Sequence, residues 1–210
     1  RFPFGAIRPI EIGYATVWAC RRSYIGEAGF ELYVPAEFAA SVYDRLMEAG
    51  KQHGITNAGY RAIESLRLEK AYRAWGADIG PDHTPLEAGL GWAVKLAREI
   101  PFLGRDALLA QRGQPLKKRL ACFTVDNPDV VLLGRETIYR DGKRVGWLSS
   151  GGWGYTVGKN IGFGYVRNES GVDDAMLHSG RYELEIATAR VACNIHLAPL
   201  FDPRGERVKV

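Results

Sequence analysis

From residue 119 onward the sequence reads as six short strands separated by turns, at 119–125, 137–140, 144–149, 160–166, 181–186 and 190–196. Asp141 and Gly142 sit between Ile138-Tyr139-Arg140 and Lys143-Arg144-Val145, the wording of a two-residue hairpin turn. Short strands at this spacing, joined by turns, predict a small antiparallel barrel or sandwich. Gly113, Gln114 and Pro115 punctuate a boundary before them, so the chain is predicted to divide into 1–113 and 114–210. The glycines at 151, 152, 154 and 158 invite a phosphate-loop reading. No Gly-Lys-Ser/Thr closes that loop and no βαβ unit surrounds it. A Gly-rich hairpin or surface loop is the expectation instead.

The first part mixes periods. Residues 10–22 alternate over most of their length and predict one long strand. Gly26 and Gly29 then mark a chain reversal, after which Phe30, Leu32 and Val34 alternate with Glu31 and Tyr33. Glu31 and Tyr33 therefore share a face. A carboxylate there can accept two parallel N–H bonds from a planar ligand edge. It can equally be a solvated group on an edge strand. Ala39, Val42, Tyr43 and Leu46 recur at helical spacing in a helix ended by Gly50 and Gly54.

A second helix is predicted over about 58–72, with Ile63 and Leu66 on its buried side and Arg61, Glu64 and Arg67 as an exposed charge ladder. Arg61 and Arg67 are candidate cations for an anionic ligand. Residues 84–96 read as a turn into an apolar strand, where Trp92 either stacks on a ligand ring or fills the core. A short helix begins near 102–108.

The 210 residues, 46% hydrophobic and 25% charged, have the balance of a globular chain. The net charge of +4, without a run of five or six basic residues, argues against a nucleic-acid partner. Cys20, Cys122 and Cys193 are odd in number, far apart and set among apolar residues, which predicts free buried thiols in a reducing compartment. The four histidines lack metal-ligand spacing, and no metal is expected. No apolar run reaches membrane-spanning length and no signal peptide stands at the start, so no membrane partner is expected. The chain opens on Arg1 rather than Met, which reads as a piece of something longer.

Tyr24-Ile25-Gly26-Glu27-Ala28-Gly29-Phe30-Glu31 resembles the Gly-Tyr-x-Gly-Glu-x-Gly-Phe-Glu signature of the aminomethyltransferase family, the T-protein of the glycine cleavage system and its relatives; Ser23 replaces the first Gly. The likeness continues in Leu66-Arg67-Leu68-Glu69, in Pro85-Leu86-Glu87-Ala88-Gly89-Leu90-Gly91-Trp92-Ala93-Val94, and in Ser149-Ser150-Gly151-Gly152-Trp153 and Ile161-Gly162-Phe163-Gly164-Tyr165-Val166. The wording Glu69-Lys70-Ala71-Tyr72-Arg73-Ala74-Trp75-Gly76-Ala77-Asp78 is similar to the folate-binding C-terminal half of dimethylglycine and sarcosine dehydrogenases.

The resemblance implies an α+β fold: an antiparallel sheet with helices packed on it, the folate-binding portion, followed by a small antiparallel β-barrel. The N-terminal half of the family fold is expected to be absent. The implied cofactor is tetrahydrofolate, its pterin edge held by Glu31, with Tyr24 and Trp92 in the pocket and Arg61 or Arg67 toward a glutamate tail. Ile63 stands where the T-protein carries a folate-binding Arg. The implied partner is a small amine or aminomethyl carrier. The family's catalytic Asp is expected outside this chain, so no catalytic residue is assigned. Two alternatives follow: part of a flavin-dependent dimethylglycine or sarcosine dehydrogenase with an upstream flavin domain, or a non-catalytic folate-binding structural or repair factor. The implied location is cytoplasmic, or the mitochondrial matrix in a eukaryote.

Overall fold

A computed structural model describes residues 2–210; Arg1 lies outside the described residues. All six runs of the second half are strands: β4 (Lys118–Val125), β5 (Thr137–Arg140), β6 (Lys143–Gly154), β7 (Lys159–Arg167), β8 (Tyr182–Ile186) and β9 (Ala189–His196). They close into an antiparallel barrel in the order β4-β7-β6-β5-β8-β9, so the barrel, not the sandwich, is formed. Phe123, Val125, Ile138, Leu148, Val166 and Leu184 fill it. Asp141 and Gly142 both take positive φ, 50° and 77°, as the β5–β6 hairpin turn requires.

β6 runs five residues past its expected end at 149. Its pairing with β7 continues through Gly151↔Gly162 and Trp153↔Asn160 to Gly154↔Lys159. The Gly-rich stretch is thus a hairpin, and its missing side chains have a packing reason. A Cβ at Gly152 would stand 3.0 Å from Leu68, and one at Gly154 3.0 Å from Glu69 Oε1. Leu68 and Glu69 belong to helix α2 (Tyr60–Glu69), here taken after α1 (Ala39–Gly50). The bare backbone of β6 lets α2 lie directly on the barrel wall. Ser65 Oγ donates to Trp153 O at 2.6 Å, and Glu69 Oε1 accepts from Thr156 N at 2.6 Å and Val157 N at 3.2 Å.

The first part holds a three-stranded antiparallel sheet in the order β1-β2-β3, from β1 (Ile7–Ile12), β2 (Ala15–Cys20) and β3 (Glu31–Tyr33). The single strand expected over 10–22 is two strands. Gly13, at φ 64°, and Tyr14 form a two-residue turn between the Ile12↔Ala15 partners. Ile10 and Ile12 pack on the same small core as Ala15 and Val17, so the inward parity changes at that turn. α1 buries Val42 against Ala15 and Val17, as its periodicity predicts.

Two further expectations are corrected. Residues 84–96 form no strand. Thr84 N donates to Glu87 Oε2 at 2.9 Å and Glu87 N to Thr84 Oγ1 at 3.2 Å, a reciprocal pair that nucleates a tight turn; a 3-10 turn follows at Gly91–Ala93. In α2 the buried residues are Ser65, Arg67, Leu68 and Glu69, not the Ile63 and Leu66 side, because β6 meets the C-terminal half of the helix. α3 (Arg105–Arg112) follows, and α4 (Asp174–His178) crosses from β7 to β8.

The three cysteines are free; Cys20 and Cys122 are buried and Cys193 half-buried. Burial, and then Glu183, push the Cys193 thiol up to about 12. Among the described residues, no helix is long and apolar enough to cross a membrane, and no group of three or more His, Cys, Asp and Glu is placed to hold a metal.

Residues 201–210 return to the first part. Lys70 Nζ donates to Asp202 Oδ2 at 2.6 Å and to Asp202 O at 3.0 Å, with the two side chains 3% and 10% exposed. The Lys70 hydrogen bond, and then the Glu206 N–H, hold the Asp202 carboxyl down at about 2. An unfolded Asp titrates near ~3.9. The folded pKa is the lower one, so this contribution is complete above about pH 4 and is lost as pH falls toward 2. The Tm difference between wild type and Asp202→Asn, measured by calorimetry, is therefore expected to shrink between pH 4 and pH 2. A constant difference would contradict the pairing.

Candidate functional site

β3 is only three residues long, yet its alternation decides what Glu31 faces. Leu32 turns inward onto the small core, leaving Glu31 and Tyr33 on the outer face. Tyr33 OH donates to Glu31 Oε2 at 3.0 Å, and that bond raises the Tyr33 phenol above its usual range. Among the described residues, this hydroxyl is Glu31's hydrogen-bond partner, and Glu31 is in no ion pair. In the β2–β3 register Trp18 stands opposite Tyr33 and Cys20 opposite Glu31. Trp18 and Tyr33 are 51% and 53% exposed. The result is a carboxylate on a strand beside two open rings. Trp18 escapes sequence reading, because its facing depends on that register and on the Gly13 turn; the parity change at Gly13 is the signal that points to it.

Tyr24 belongs to the loop before β3. Ser23 Oγ accepts from Gly26 N at 3.0 Å and closes the loop locally. Tyr24 OH donates to Arg73 O at 3.0 Å, and its ring stacks on Tyr72 with centroids 6.1 Å apart. Burial raises its phenol pKa, and the neighbouring Arg67 opposes that rise. Tyr24 thus stands beside the C-terminal end of α2.

Trp92 is 76% exposed, on the turn after the Thr84–Glu87 cap. Among the described residues it does not pack in the core. It borders a cleft of about 510 Å³ with Leu86, Val94, Leu96, Arg98 and Arg112. Neither Glu31 nor Tyr24 lines that cleft. Arg61 is exposed on α2, without a described partner.

Arg67 is the residue whose expected role the structure removes. Its side chain is 1% exposed. Its guanidinium donates to Asp78 Oδ2 at 2.6 Å, Glu64 Oε2 at 2.8 Å, Ser150 Oγ at 2.7 Å and Tyr72 O at 3.1 Å. Burial disfavours its charge, yet Asp78 and Glu64 more than offset this, and its pKa lies above the ordinary value. No donor is left for a glutamate tail. Asp78, fully buried, also accepts from Ala74 N at 2.9 Å, Ser149 Oγ at 2.5 Å and Ser150 Oγ at 2.6 Å. This network fastens α2 and the turn after it to β6.

Comparison with known proteins gives consistent results over both parts. Residues 1–98 match the family model described as GCVT N-terminal domain, and residues 118–202 the one described as glycine cleavage T-protein C-terminal barrel domain. Sarcosine dehydrogenase of Mus musculus is 45% identical over 210 residues, covering 99% of this chain and 23% of that protein. Dimethylglycine dehydrogenase of Rattus norvegicus is 42% identical over 165 residues, covering 79% of this chain and 19% of that protein. The chain thus spans under a quarter of these relatives' lengths. The crystal structure of glycine cleavage system aminomethyltransferase T from Bartonella henselae superimposes with a TM-score of 0.76 at 26% identity, over 89% of this chain and 50% of that one. With its sheet-and-helix part and its closed barrel each matching the corresponding family model, the chain belongs to the glycine cleavage T-protein family.

Proposed function

We propose that this chain is the tetrahydrofolate-contacting part of an aminomethyltransferase-type enzyme that moves a one-carbon unit from an amine or aminomethyl carrier onto tetrahydrofolate. The observation that carries this reading is Glu31. Its carboxylate stands on a strand, is in no ion pair among the described residues, and is flanked by Tyr33 and Trp18. A carboxylate so placed can accept both N–H groups of a pterin's 2-amino and N3 edge, a charge-assisted pair. Open rings offer the flat faces that such a ligand stacks on. Tyr24 and Trp92 are proposed as further pocket residues, and Arg61 as the cation nearest to a role with the glutamate tail. Bound tetrahydrofolate would supply the nitrogen that takes the one-carbon unit; the chain's own residues would hold and orient it. The acid that steers proton transfer is proposed to lie outside this chain, which alone is then inactive.

A second reading has a specific observation in its favour. The identity to sarcosine dehydrogenase, 45%, exceeds the 39% over 146 residues to the aminomethyltransferase of Caldanaerobacter subterraneus. The parent would then oxidise an N-methyl amine in a flavin domain and pass the one-carbon unit to this part. A flavin absorbance spectrum of the full-length protein separates the two. The relatives named as mitochondrial suggest the matrix as its location in a eukaryote.

Calorimetry with tetrahydrofolate tests the shared core of both readings. Glu31→Ala is expected to weaken binding about 50-fold, the worth of a charge-assisted hydrogen-bond pair. An unchanged Kd in Glu31→Ala, or no binding heat from wild type at millimolar ligand, would sink the assignment.

A further inference from the structure

The last ten residues have no part in the site described above, yet they hold the loop that carries it. Residues 23–30 lie between Lys70, which follows α2, and residues 201–210. Lys70 runs under Gly26 so closely that a Cβ there would meet its Cγ at 2.2 Å, Cδ at 2.4 Å and Cε at 2.5 Å. Gly26 also holds φ at 80°, a conformation that suits glycine. The ammonium of Lys70 is fixed on Asp202, so the tail sets the position of the stem on which the loop rests.

Asp202 then shapes the tail itself. Its φ is 43°, which Asp tolerates better than most residues. Its Oδ1 accepts from Glu206 N at 2.9 Å and its Oδ2 from Arg207 N at 3.2 Å. That turn brings Arg207 Nε to Glu27 Oε1 at 2.8 Å and Oε2 at 2.7 Å, across the loop from Lys70. Phe201 fills the space between, with the Lys70 ammonium 5.7 Å and the Arg207 guanidinium 5.4 Å from its ring centroid, and its N–H donates to Glu69 O at 3.0 Å. Arg21, just past β2, donates to Val210 O. The loop is thus held between the Lys70 stem, which Asp202 fixes, and Arg207 of the same ten-residue segment.

We propose that residues 201–210 are a clamp on the loop 23–30, and that through the Lys70–Asp202 and Glu27–Arg207 pairs they fix where Tyr24 and Glu31 stand and so set the affinity for tetrahydrofolate without touching it. This rests on the folate reading given above. Asp202 and Arg207 are positioning residues. Arg207 is more than half exposed, and an exposed pair contributes little to global stability. Its effect is therefore local, which separates a clamp from a merely structural contact.

The test uses the full-length protein. In Arg207→Ala, calorimetric Kd for tetrahydrofolate is expected to rise roughly fivefold while Tm stays within about 1 °C. Backbone amides of residues 23–30 are expected to exchange with solvent about fivefold faster, and those of the barrel at an unchanged rate. The charge-exchanged double variant Glu27→Lys/Arg207→Glu is expected to restore both quantities most of the way. Asp202→Asn is expected to move them in the same direction as Arg207→Ala. Unchanged affinity and unchanged loop exchange in both single variants would overturn the clamp. Wild type that binds no tetrahydrofolate overturns the folate reading, and with it the link to affinity; the exchange rates then still uphold or refute the grip on the loop.

Discussion

Asp78→Ala is expected to cost about 4 kcal/mol of stability, because it strips the shared acceptor from the buried Arg67 and Ser150 and from the part-buried Ala74 N–H and Ser149. Asp78 has no exposed surface and serves Arg67, Ala74 N, Ser149 and Ser150 together. Arg67 would keep Glu64 as counter-ion, yet Ala74 N–H and the two hydroxyls would lose their anion. Replacing an isolated buried ion pair by apolar residues of similar volume is often neutral. Here the double variant Arg67→Met/Asp78→Leu is expected to remain at least about 2 kcal/mol less stable than wild type, since the donors on β6 stay behind. Urea denaturation midpoints check both. A loss below about 1 kcal/mol in Asp78→Ala would mean that the network does not fasten α2 to the barrel.

Gly146→Ala is the second large effect, and its origin is steric. Gly146 pairs with Val166 across β6–β7. A Cβ there would lie 1.9 Å from the carbonyl oxygen of Tyr165 and 3.1 Å from its carbon. The obstacle is backbone in the middle of a closed barrel, so it cannot swing aside as a side chain can. The expected cost is about 3 kcal/mol, at the upper end of overpacking penalties. Gly158→Ala is the control. Its φ is 68° and no atom lies within 4 Å of the added carbon, so only backbone strain of about 1 kcal/mol is expected. Equal losses at the two positions would sink the steric account.

The strands of the second half were legible in the sequence because they are short runs set off by turn residues, although their closure into a barrel rather than a sandwich was not. Asp141 and Gly142 are the plainest case of such a turn. The outward placing of Glu31 and Tyr33 was legible from their alternation with Phe30, Leu32 and Val34. What stayed hidden depends on partners distant in sequence. Arg67 sits in line with Arg61 and Glu64 on the helical period, and nothing local marks it as buried. Its burial follows from Asp78, eleven residues on, and from Ser150 on the barrel wall. Apolar residues around Trp92 imitate a strand, but the Thr84–Glu87 cap curls them into a turn. The alternation of 10–22 carries through the Gly13 turn with one change of parity, and the facing of Trp18 depends on that change.

The two sheets also differ in what they offer to another chain. A closed barrel presents no row of unpaired amides and carbonyls, so intermolecular strand addition finds no purchase there. Among the described residues the open sheet has two rims. One is β1, where Pro9 removes an N–H from the ladder; the other is β3, with just three residues to pair. Such rims are poor templates for fibril growth, and the same brevity that leaves Glu31 open to solvent guards the chain against sticking to its own copies.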